Sequence, residues 1–182
     1  MSKGEERLYE LIIFALQGIF SQLGECYLEN TSRKFSERLK EHLDDYPLLI
    51  LRVEKMSPDV TGYVIPKGMG VGESKQIIVA EIKLKPTLKD IYQTKRYAEI
   101  LNASYALLIS PSKLSPERRR FLIKRKGELT QFYPNKHIII GQFHQQMLKN
   151  FIRIGKELYH SLPEPFKELS KITLPLLLGF FH

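Results

Sequence analysis

The sequence predicts a mixed α/β fold, a central sheet of about four to five strands flanked by helices, on three observations. Short apolar runs rich in branched residues alternate with segments of helical periodicity. Two such runs, 59–65 and 76–84, are joined by "PKGMGVGESK" (66–75), whose three glycines and one proline suit a hairpin connection. The second run leads into a helical segment and then another apolar run, the pattern of a crossover between parallel strands. With 182 residues the chain is long enough to bury a core as one domain.

The elements follow in order. Leu8, Leu11, Ile12, Ala15, Leu16, Ile19 and Leu23 recur at helical spacing and predict a first helix over about 4–22. "SERLKEHLDD" predicts a second, shorter helix capped by Ser36 and ended by Pro47. "LLILRVEK" (48–55) reads as a strand, "DVTGYVI" (59–65) as the next and "QIIVAEIKL" as the third. Thr87 and Asp90 make an approximate capping box for a helix over about 88–102. "SYALLIS" (104–110) is a strand, Ser115 and Pro116 open a further helix, and "KHIIIGQF" (136–143) is a strand. A last helix is expected from Gln145 to about Leu162, before Pro163 and Pro165, so that residues 145–182 form a helical extension on a domain spanning 1–144.

Composition narrows the function classes. The hydrophobic fraction of 43% fits a globular chain, and the net charge of +8 favours a polyanionic partner, nucleic acid first. The single cysteine, Cys26, excludes an internal disulfide, a four-thiolate zinc site and an iron–sulfur cluster. The acidic N-terminal segment is no signal peptide, and "LPLLLGFF" is too short to span a bilayer. A soluble, cytoplasmic protein without membrane attachment is expected. His42, His137, His144, His160 and His182 show no metal-ligand spacing, and "GMGVG" lacks the lysine and helix of a phosphate-binding loop.

One strand carries unexpected charge. Alternation in "QIIVAEIKLK" (76–85) puts Ile78, Ala80, Ile82 and Leu84 on one face and Ile77, Val79, Glu81 and Lys83 on the other. Taken alone, Glu81 and Lys83 read more readily as a half-exposed ion pair. If strands 59–65 and 76–84 form a hairpin, however, Asp59 stands near both. Two carboxylates beside a lysine suit a hard divalent cation, with the ammonium placed to assist a metal-bound water or a phosphate.

These residues resemble the PD-(D/E)xK, or restriction-endonuclease-like, nuclease superfamily: Pro58-Asp59, then Glu81-Ile82-Lys83, then Gln93 and Tyr97 four apart on the crossover helix. The last pair is similar to the QxxxY extension of the RecB-like and Holliday-junction-resolvase-like branches. The resemblance spans about residues 4–110 and implies a restriction-endonuclease-like core. It implies Mg²⁺, with Mn²⁺ as a substitute, held by Asp59, Glu81 and the Ile82 carbonyl. It gives Lys83 the attacking water, and gives Gln93 and Tyr97 contacts to the water, the lysine or the nucleic-acid backbone. A first-helix glutamate often joins such sites; Glu6 is the best match, with Glu5 and Glu10 competing. The interval from Asp59 to Glu81 is longer than the family's usual one, its glycine-rich loop being an insertion.

Two basic runs flank these residues. From Lys113 to Glu128, seven basic residues against Glu117 and Glu128 give +5; from Lys83 to Arg96, five against Asp90 give +4. Lys85, Lys89, Lys95, Arg96, Arg118, Arg119 and Lys124 are the candidate phosphate contacts. The expectation is a metal-dependent deoxyribonuclease, RNA remaining open as a substrate. The alternative is a nucleic-acid-binding or interaction module of the same fold without hydrolysis. Members of the family are often dimers, so a homodimer is among the expected assemblies.

Overall fold

Helix α1 (Lys3–Phe20) lies against a six-stranded sheet because its Ile12, Leu16 and Ile19 form one buried stripe. The structure, a computed structural model, describes residues 3–68, 75–112, 115–125, 128–134, 136–144 and 147–153. The sheet is built from β1 (Gly24–Asn30), β2 (Val60–Pro66), β3 (Gln76–Ile82), β4 (Tyr105–Ser110), β7 (Ile139–His144) and β8 (Met147–Arg153), in that spatial order. A small ribbon, β5 (Gln131–Tyr133) with β6 (Lys136–His137), stands apart from it. The helices are α2 (Glu37–Lys40), α3 (Asp45–Val53), α4 (Leu88–Ile100) and α5 (Pro116–Lys124). This is the mixed α/β plan expected, with six strands rather than four or five.

Both sheet faces are covered. Leu28, Val60, Val64, Ile78, Ala80, Leu107 and Ile109 meet α1. On the other face Tyr63, Ile77, Val79, Ala106, Leu108 and Ile140 meet Leu51 of α3 and Ile91, Tyr97 and Ala98 of α4. Burial on both sides explains why β3 and β4 read as nearly continuous apolar runs. The β2–β3 pair is antiparallel, whereas β3–β4 and β4–β7 are parallel. Helix α4 therefore makes the β3-to-β4 crossover. Its capping box is formed: Thr87 N–H donates to Asp90 Oδ2 at 2.7 Å, and Asp90 N–H to Thr87 Oγ1 at 3.4 Å.

Three expectations are corrected. Residues 48–55 are not a strand; they belong largely to α3. Pro47, read as a stop, sits in the first turn of that helix, where its missing N–H costs nothing. Leu48 and Leu51 then face the core at helical spacing, while Leu49 and Val53 are exposed. Second, β1 was not foreseen. Third, the helix expected from Gln145 begins instead as β8, which pairs antiparallel with β7, His144 opposite Met147. The strand satisfies what would otherwise be an open edge of β7, and the sheet crosses the boundary expected at residue 144. Residues 154–182, the remainder of the expected extension, lie outside the described residues.

Candidate functional site

The β2–β3 register decides the site. Val60 pairs with Ala80, so Asp59, one residue before β2, stands across from Glu81. Asp59 N–H donates to Glu81 Oε1 at 3.1 Å, and Ile82 N–H donates to Asp59 Oδ2 at 2.8 Å. The two carboxylates are thus fixed by each other's strand backbone. Lys83, immediately after β3, closes the cluster. Its Nζ lies 3.1 Å from Asp59 Oδ2 and 2.8 Å from Glu81 Oε2. The contact to Oε2 is one of charge: that buried oxygen has no aligned hydrogen-bond donor. Lys83 is the solvent side of the trio, its side chain 26% exposed against 11% for Asp59 and 1% for Glu81.

The electrostatics follow from burial. Desolvation, reinforced by the Asp59 carboxylate, pushes the Glu81 carboxyl up to about 7 against the pull of Lys83. Burial works against the charge on Lys83 as well, but the Glu81 and Asp59 carboxylates overcome it and hold the ammonium above its ordinary value.

Two tyrosines approach from opposite layers. Tyr9 of α1 donates its hydroxyl to Asp59; its ionisation is raised, first by burial and then by the Asp59 charge. Tyr97 of α4 is buried, receives a hydrogen bond from the Ser57 backbone and feels the Glu81 charge, with burial the main cause of its raised ionisation. Gln93 Nε2 donates to Tyr97 Oη at 3.2 Å. The pair four residues apart thus acts as a unit facing Glu81 and Asp59. Around Asp59 the loop is braced by Thr31: its N–H donates to the Asp59 carbonyl at 3.0 Å, and its hydroxyl to the Pro58 carbonyl at 2.8 Å.

The structure therefore brings Asp59, Glu81, the Ile82 peptide, Lys83, Gln93 and Tyr97 together. Glu6 lies on α1 one turn before Tyr9, its side chain outside the described residues, and Glu10 is exposed. Leu84, expected on the core face, is 56% exposed because β3 ends at Ile82. Tyr9 was missed by sequence reasoning. Its place in an apolar helix is that of any core aromatic, and only contact across layers reveals its role. Burial pushes the Cys26 thiol up to about 11.

The candidate phosphate contacts divide. Lys85 and Lys89 are exposed beside the site. Arg96 is held by Glu54 at 3.0 Å, and Lys95 lies 3.9 Å from Glu99. The guanidinium of Arg118 donates to the Pro86 carbonyl, tying α5 to the turn after β3. Arg119 and Lys124 lie on α5, with side chains outside the described residues.

The donor set fits a hard divalent ion. Two carboxylates from neighbouring strands converge on one cationic centre, and Glu81 keeps one buried oxygen without an aligned donor. Mg²⁺ uses one or two carboxylates and keeps several waters. No cluster of three His, Cys, Asp or Glu side chains suited to a metal occurs among the described residues. No helix among the described residues is long and apolar enough to cross a membrane. No family model, curated protein or solved structure matches the chain.

Proposed function

We propose that the chain is a divalent-metal-dependent nuclease of the restriction-endonuclease-like type, hydrolysing DNA phosphodiester bonds. The observation that carries this reading is the convergence of Asp59 and Glu81, from facing strand ends, on the ammonium of Lys83. Asp59 and Glu81 would hold Mg²⁺ or Mn²⁺, which when bound activates water and neutralises phosphate charge. The residues of the chain do the rest. The backbone N–H groups of Asp59 and Ile82 fix the carboxylates. Tyr9 orients Asp59, and Gln93 positions Tyr97 beside Glu81. Lys83, kept protonated by its two neighbours and facing solvent, supplies positive charge and N–H donors to a phosphoryl oxygen as its negative charge develops.

The test is nicking or degradation of single-stranded, duplex and flapped DNA with Mg²⁺ or Mn²⁺, comparing wild type with Asp59→Ala and Lys83→Ala. Cleavage by wild type that falls at least a hundredfold in Asp59→Ala supports the reading; equal activity in all three removes it. A second reading is a binding module of the same fold without hydrolysis. It is favoured by the two carboxylates being already bridged by the chain's own lysine. Binding without cleavage under every metal condition would select it.

A further inference from the structure

The segment 55–59 links the site to a second feature. Ser57, two residues before Asp59, stands at the edge of a groove of about 1190 Å³ between the β1–α2 connection and helices α2 and α3. Two residues of chain span at most about 7 Å, and the Ser57 backbone itself bonds to Tyr97 of the site. The groove exceeds the roughly 300–1,000 Å³ of an ordinary small-molecule pocket, which favours a length of polymer.

The free charge of its lining is mainly positive. Arg33, Lys34, Arg52 and Lys55 line it, are exposed and form no ion pair among the described residues. Of the acidic residues in the lining, Glu37 is bound by Lys40 at 2.6 Å; Glu41 and Asp45 remain, so four unpaired cations face two unpaired anions. The same lining holds Phe35, half-buried against the core, and Tyr46, which is 73% exposed. Cations that follow a backbone, interleaved with aromatic rings that accept unstacked bases, suit a single nucleic-acid strand rather than a duplex whose bases are hidden.

The backbone supplies an independent sign. Lys55 has φ 51°, the left-handed conformation that glycine favours. It occupies the position just after the α3 cap, with Met56 N–H donating to the Leu51 carbonyl at 2.9 Å. The fold asks for glycine here and the sequence provides a lysine in the groove wall. Strain of this kind gathers where a side chain is needed.

We propose that this groove is the track for a single strand of nucleic acid, delivering its phosphates past Ser57 to Asp59 and Glu81. The proposal deepens the nuclease reading and rests on it for the direction of the strand, but binding to the groove does not require cleavage. The substrate-tracking surface is then the α2–α3 side, rather than the two basic runs, Lys83–Arg96 and Lys113–Glu128, that the sequence offers.

The experiment measures fluorescence anisotropy of a labelled oligo-dT, an oligo-rU of equal length and a DNA duplex, in EDTA so that nothing is cut. Wild type is compared with Lys55→Gly, Arg52→Ala and Tyr46→Ala. Lys55→Gly is the decisive variant, because it removes the charge while relieving the backbone. Its melting temperature should equal or exceed that of wild type. The expected result is single-strand binding at least fivefold tighter than duplex binding. Lys55→Gly and Arg52→Ala should each weaken it at least threefold, and each lost phosphate contact should lower the salt slope by about 0.7. Preference for dT or rU assigns the sugar. Wild-type affinity in all three variants, duplex binding equal to single-strand binding, or no binding would overturn the groove. Binding that follows these variants without any cleavage in metal would uphold the groove and remove the nuclease reading. Cleavage unaffected by them would do the reverse.

Discussion

Glu81 is 1% exposed and shares its space with Asp59, so its charged form is unfavourable in the folded chain. Its folded value of about 7 lies above the 4.5 of the free carboxyl. A raised carboxyl binds more protons folded than unfolded, so it favours folding below pH about 4.5 and loses that contribution as pH rises to about 7. The loss is of the order of 3 kcal/mol. Without divalent ions, chemical denaturation should therefore show stability falling from pH 5 to pH 7.5, and Glu81→Gln should flatten the decline. A divalent ion competes with the same proton. The thermal shift produced by Mn²⁺ should grow as pH rises towards 7 and level off above it, and a pH-independent shift would place the ion elsewhere. Tyr9 gives the second prediction at this scale. Its hydroxyl donates to a carboxylate, a bond worth about 1.5–3 kcal/mol. Tyr9→Phe should lose about that much in urea titration and should weaken Mn²⁺ binding, since Asp59 then keeps only the Ile82 N–H and the Lys83 ammonium as side-chain partners. An unchanged Mn²⁺ affinity would reduce Tyr9 to a packing residue.

Strands and helices carry the site by their closeness. Gly62 of β2 lies so near β1 that a Cβ there would meet the Tyr27 carbonyl and the Leu28 side chain. Gly62→Ala must push the two strands apart, at a cost of about 1–3 kcal/mol. Because Asp59 directly precedes β2, metal affinity should fall with stability; circular dichroism melts with and without Mn²⁺ would read both. At the same scale lies the main difference between expectation and structure. The central strands β2, β3, β4 and β7 were legible, being largely buried and mostly apolar. The missed strands, β1 and β8, are the two edges of the sheet. "GECYLEN" mixes glutamates with apolar residues, as suits an edge that must not pair with other chains. "MLKNFIR" has the same mixed character, and its pairing depends on β7, which lies before it in the chain. The leucine run of α3 failed for the opposite reason: a short apolar run fits a helix or a strand, and the core's position settles which.

For the molecule as a whole, the sheet is one unit up to Arg153, so cutting the chain where the domain boundary was expected has a definite cost. A variant ending at His144 exposes the whole edge of β7, from Ile139 to His144. It should aggregate or self-associate on size-exclusion chromatography, while a variant ending beyond Arg153 should not. The sequence by itself determined the central sheet, the α4 crossover and the nearness of Asp59 to Glu81 and Lys83, whereas Gln93 and Tyr97 entered through the resemblance. The former depend on alternation along one strand, spacing along one helix and one hairpin register, all of them short-range patterns. Tertiary structure alone decided the edges of the sheet, the hydroxyl of Tyr9 at Asp59, the capture of Arg96 by Glu54, and the basic groove ending at Ser57. Apart from the β7–β8 hairpin, each of these is a meeting of residues from separate layers or distant segments. No local period encodes such a meeting, because it exists only once both sheet faces have been covered.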